Sequence, residues 1–79
     1  MWIHIFGKDS WINSDNIMEI YLQELNNTWC VLASSIDGVE TFTLYESSEA
    51  DQKINENNCS VMLADIIASL NSKGETDAT

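Results

Sequence analysis

Between Ile17 and Leu25, apolar and polar residues take turns. Met18, Ile20 and Leu22 fall on one side of an extended chain, with Ile17, Glu19, Tyr21 and Gln23 on the other. A period of two marks a strand with one face in a core and the other in water. Thr28 to Ala33 is an almost continuous apolar run, as a central strand reads. Val39 to Tyr45 alternates again, Phe42 and Leu44 opposite Thr41 and Thr43. The joints carry turn chemistry. Asn26-Asn27 tolerates positive φ and suits a two-residue hairpin, and Ser34 to Gly38 ends in Asp37-Gly38, a second hairpin signal. Upstream, Trp2 to Phe6 is rich in β-formers and stops at Gly7-Lys8-Asp9-Ser10. Alternation there sends Ile3 and Ile5 one way and Trp2, His4 and Phe6 the other. Trp11-Ile12 is a further short piece, closed by Asn13-Ser14-Asp15-Asn16.

After Tyr45 the period changes. Ser48-Glu49-Ala50-Asp51 reads as a helix N-cap with acids in the first turn, where the macrodipole favours them. Cys59, Met62, Leu63, Ile66, Ile67 and Leu70 form a stripe at helical spacing, and Lys73-Gly74 supplies the charge and left-handed residue expected at a helix end. At about 100° per residue Ile54 points nearly opposite the centre of that stripe. Asn55-Glu56-Asn57-Asn58 lies between them, and Asn is a weak helix former. The expectation is a short helix, a break, and a longer helix on the sheet.

These elements predict an α+β fold: a three- or four-stranded antiparallel β-meander with C-terminal helix packed on one face. Residues 1–74 form a single domain and 75–79 a frayed tail. Seventy-nine residues with 44% apolar content suffice for one globular unit, though chains this short bury only about 60% of their unfolded surface. A dimer that covered the second sheet face would add to a marginal core.

Charge narrows the function. Thirteen acidic residues stand against Lys8, Lys53 and Lys73, for a net charge of −10, with no Arg. Phosphate is neutralised by Lys and Arg, so direct nucleic-acid binding and docking on anionic lipid are disfavoured. A negative surface suits a basic partner, or serves solubility alone. The N-terminal run "MWIHIFGKDSW" lacks the basic start and apolar length of a signal peptide, no stretch is long enough to span a membrane, and the expected location is the cytoplasm. In that compartment Cys30 and Cys59 are expected as free thiols.

Catalytic chemistry finds little footing. His4 is the sole histidine. It could meet Cys30 or Cys59 in space, but no orienting motif surrounds any of the three, and a sheet histidine without a catalytic role is the simpler reading. There is no C-x-x-C, no H-x₃-H and no calcium-loop spacing; Glu46, Glu49 and Asp51 fit capping and solvation better. Gly7, Gly38 and Gly74 sit in no Gly-rich run, so a phosphate loop is set aside. No cofactor, no metal and no enzymatic activity are expected.

What remains are acids interleaved with aromatics. If the helix covers the aliphatic side of the sheet, the other face keeps Tyr21, Trp2 and Trp29. Trp and Tyr are enriched at binding hot spots, and a sizeable exposed patch marks a contact site. The alternative is that these rings belong to the core or are scattered over the surface. Glu19, Tyr21, Glu24, Glu40, Glu46, Glu49 and Asp51 are the candidate partner-binding residues.

The element order, with "WINSDNIMEIYL" followed by "DGVETFTLYESSEADQKI", resembles short proteins of bacteria and their phages in which a β-meander precedes a helix. The resemblance spans roughly residues 1 to 55. The strand pattern is also similar to the first half of LytTR DNA-binding domains, whose basic recognition residues have no counterpart here. Small acidic phage proteins of this kind are often antagonists of host defence, including anti-CRISPR proteins and DNA mimics. The resemblance therefore implies an inhibitor that engages a basic, nucleic-acid-handling protein. The other reading is a structural or regulatory homodimer whose charge keeps it soluble.

Overall fold

The computed structural model describes the backbone of residues 1–78 and the side chains of residues 1–71. Five strands precede one helix: β1 (Trp2–His4), β2 (Trp11–Asn13), β3 (Ile17–Leu25), β4 (Thr28–Ser35), β5 (Thr41–Ser47) and α1 (Gln52–Ala78), with a 3-10 turn at Ser14–Asn16. β3, β4 and β5 form the expected antiparallel meander, in that spatial order. β1 and β2 pair with each other instead of adding a fourth strand. The hairpin is tied to the meander by Phe6 N–H donating to Thr43 O (2.9 Å).

The Asn26-Asn27 turn has φ of 48° and 63°. Both residues are left-handed, as a type I′ turn requires, and its twist matches that of the flanking strands. This turn pins the register that places Ile20 opposite Ala33 and Leu22 opposite Val31. Val31 and Ala33 are completely buried, in one cluster with Ile3, Ile5, Ile12, Leu44, Cys59 and Ile66. The hairpin and the helix thus both pack on the Val31 side of the sheet. Cys30 and Leu32, which alternation directs to the other face, are buried but lie outside that cluster.

Two β-bulges alter the expected alternation. One falls between Ile17 and Glu19. The extra residue, Met18, swings out to 63% exposure, and Ile17 turns in against the core. That exchanges the expected places of these two residues, while Ile20 and Leu22 keep theirs. The second bulge, where β5 passes Val31 and Leu32, adds Leu44. It lets Phe42, Leu44 and Tyr45 all reach the core, although strict alternation would send Tyr45 to the opposite side. Trp29 also departs from expectation. It stands in register with Glu24 and Ser47 on the helix side and packs against the core, not on the open face.

The helix is one element, without the expected break. Asp51 caps it: its Oδ1 accepts from Lys53 N–H (2.9 Å) and its carbonyl from Ile54 N–H (3.1 Å). The cap lies three residues beyond Ser48, so Glu49 is outside the helix. Ile54 is exposed, as its phase requires, and the position that completes the buried stripe is Asn55. A polar residue there hid the continuity. Ile67, expected in the stripe, lies at its margin and is 41% exposed. The helix bounds run past the expected stop at Lys73 and Gly74. The expected tail of 75–79 falls where side chains are not described, and Thr79 lies outside the described residues.

Candidate functional site

Two exposed tryptophans project from the β1–β2 hairpin. Cross-strand pairing puts His4 opposite Trp11 and Trp2 opposite Asn13. Because Ile3 and Ile12 turn inward, Trp2 and Trp11 turn outward, 64% and 60% exposed. The Trp11 ring rests against His4, centroids 4.9 Å apart at 58°. Facing the hairpin is the β4–β5 turn. Together they bound a groove of about 330 Å³ lined by Trp2, Trp11, Ile12, Ile36, Phe42, Asp37 and Glu40, with Asn13, Asn16 and Ser35.

Local hydrogen bonds hold the acidic wall in place. Ile36 N–H donates to Asn16 O (2.9 Å), fastening the turn to the 3-10 segment. The Ser35 hydroxyl donates to Asp37 Oδ1, which also accepts from Val39 N–H (3.0 Å). Ser35 Oγ accepts in turn from Glu40 N–H (3.0 Å). These bonds, Ser35 foremost and then the Val39 amide, hold the exposed Asp37 carboxyl below its usual range, so it is ionised at neutral pH. Gly38 adopts φ +75° to close the turn. Among the described side chains, neither Lys8 nor Lys53 lines the groove. Fixed negative charge thus sits beside two open indole rings, an arrangement suited to a cation.

The seven residues expected to bind a partner do not form one surface. Glu19, Tyr21 and Glu46 share the open sheet face with Cys30, Leu32 and Thr43, by register and alternation. Glu24 is on the opposite side, next to Trp29. Glu40 belongs to the groove, Glu49 to the loop before the helix, and Asp51 is occupied as the cap. Trp2 and Tyr21 lie on different surfaces. Trp11 and Asp37 were not singled out from sequence. The signal for Trp11 was the alternation around Ile12, which aligns it with Trp2 and His4 once the hairpin is paired.

Both cysteines are buried free thiols. Burial, and secondarily Glu46, raises the Cys30 thiol above 9.0; burial, then Cys30, raises Cys59. Protonated thiols are poor nucleophiles at neutral pH. Among the described residues no group of three His, Cys, Asp or Glu side chains is placed to hold a metal ion. No helix among them is long and apolar enough to cross a membrane.

No protein-family model, curated protein or solved structure matches this chain.

Proposed function

We propose that the protein is a non-enzymatic interaction module that grips a basic surface of a nucleic-acid-handling protein and blocks it. The observation that carries this reading is the groove in which Trp2 and Trp11 stand open beside Asp37 and Glu40. A guanidinium or ammonium group laid over an indole face gains about 0.5–2 kcal/mol, more as water is excluded. The carboxylates supply charge-assisted hydrogen bonds to the same group. The net charge of −10 acts at longer range, steering a basic partner toward the groove. A phage inhibitor of host defence would have such a surface, competing for the patch that normally holds phosphate.

Capture from a cell lysate on the immobilised protein at low salt, with mass spectrometry, tests this. The expected catch is basic nucleic-acid-binding proteins, released by salt and by added nucleic acid. Trp11→Ala and Glu40→Lys should each lose that catch. A catch that is the same for both variants and indifferent to salt would sink the proposal.

A further inference from the structure

β3 is the outer strand of the meander, nine residues long. Among the described residues no strand pairs with its outer side. Every second residue of such a strand directs its N–H and C=O away from the sheet, a ready template for another strand. Natural edges are commonly blunted by Lys, Pro or brevity. β3 has neither Lys nor Pro, and its one irregularity is the bulge at its start, which leaves Glu19 to Leu25 in regular pairing.

Beside that edge is a hollow of about 260 Å³, bounded by Ile17, Met18, Glu19 and Ile20 on the strand, by Ser14 just before it, and by Ile67 and Leu70 on the helix. Met18, pushed outward by the bulge, and Ile67, at the margin of the helix stripe, are both substantially exposed there. An open strand edge beside a helix, with a largely apolar hollow between them and Glu19 at its rim, is the geometry in which an extended peptide adds a strand and anchors a side chain.

We propose that β3 is a strand-addition site for an extended, alternately basic and apolar segment of another protein. The alternation follows from the register. Ile20 and Leu22 present an apolar row on the helix side, whereas Glu19, Tyr21 and Gln23 lie on the open face. A neighbouring strand therefore matches with apolar side chains on one face, one of them entering the hollow, and Arg or Lys beside Glu19 on the other. Charge selects against a second copy of this chain as the occupant: it would bring −10 onto −10, with no Lys on β3 to offset Glu19 and Glu24. This proposal does not depend on the Trp2–Trp11 groove.

The test is amide hydrogen exchange by NMR on the full chain, with a short end-blocked peptide alternating Arg and Val as the probe. A peptide of identical composition, with the Arg and Val residues in separate blocks, is the control. The alternating peptide should slow exchange about tenfold or more at alternate amides of Glu19 to Leu25, in a saturable way. The blocked-sequence peptide should not. Met18→Ser and Ile67→Ser, both at exposed positions, should weaken the alternating peptide at least about fivefold. Trp2→Ala should leave the protection of the Glu19 to Leu25 amides unchanged, which separates this site from the groove. Absent protection, equal protection by both peptides, or an unchanged affinity in the two Ser variants would overturn the proposal. So would protection that appears without peptide and grows with protein concentration, since a second copy would then be the occupant.

Discussion

Ser47 Oγ donates a 2.9 Å hydrogen bond to Asn55 Oδ1, and both side chains are buried. This bond joins the end of β5 to the first turn of α1. The rest of the Asn55 amide is also engaged: Oδ1 accepts from Glu49 N–H (2.6 Å), and Nδ2 donates to Glu49 O (2.9 Å) and Gln52 Oε1 (3.2 Å). Asn58 Nδ2 adds a bond to Ser47 Oγ (3.2 Å). A fully satisfied buried amide stabilises the junction, whereas a truncated one strands its partners. Asn55→Ala should cost about 2–4 kcal/mol, because buried Ser47 loses its acceptor and the Glu49 amide and carbonyl lose their partner in a partly buried corner. Urea melts check this; a loss under about 0.5 kcal/mol would mean that the network contributes nothing.

A paired comparison tests the helix phase. Ile66→Ala should cost about 2–4 kcal/mol as a core truncation, whereas Ile54→Ala, at an exposed position, should fall within about 0.5 kcal/mol of wild type. Equal losses in the same melts would put the wrong face of α1 against the sheet.

Alkaline pH should expose the buried thiols. Burial raises both above the ordinary 9.0, so the folded chain keeps protons that the unfolded chain releases. The stability this gives is present in full below the unfolded thiol value and is lost as pH rises through the raised folded values. Urea midpoints from about pH 7 to about pH 10.5 should therefore decline less steeply in a Cys30→Ala, Cys59→Ala double variant than in the parent. Superimposable declines would show the thiols to be uninvolved.

The type I′ turn supplies a backbone test. Asn27 has φ 63°. A β-branched residue there is strained by about 1–2 kcal/mol, and Gly is not. Asn27→Val should destabilise by that amount and Asn27→Gly should hold or raise stability. If thermal unfolding orders the two variants the other way, the turn is not of this type in solution.

The two acidic surfaces should separate by titration. A basic partner seated in the groove loses more than about 1 kcal/mol with Trp2→Ala, the usual hot-spot threshold. Glu40→Lys should slow its association, most at low salt. Tyr21→Ala and Glu46→Lys, on the open sheet face, should change neither quantity appreciably. Calorimetry and stopped-flow measurements on one captured partner decide; the reverse ranking would move the contact to the open face.

Much of this architecture was legible in the chain because it rests on short-range rules. Period-two alternation and the Asn26-Asn27 and Asp37-Gly38 turns mark the three strands of the meander, and the spacing of Cys59, Met62, Ile66 and Leu70 marks a helix that buries one side. Net charge, with a near absence of basic residues, argued against direct phosphate binding. The departures arose where local pattern yields to packing. A bulge costs one ladder position and is invisible to a count of two, so Met18 and Ile17 exchanged places and Tyr45 joined the core. Asn55 looked like a helix interruption because its stability depends on Ser47 and Glu49, partners that only the folded chain supplies. The groove was out of reach for the same reason. Trp2, Trp11, Asp37 and Glu40 come from a hairpin and a distant turn, and it takes the burial of Ile3, Ile12 and Phe42 against one core to bring their rings and carboxylates together.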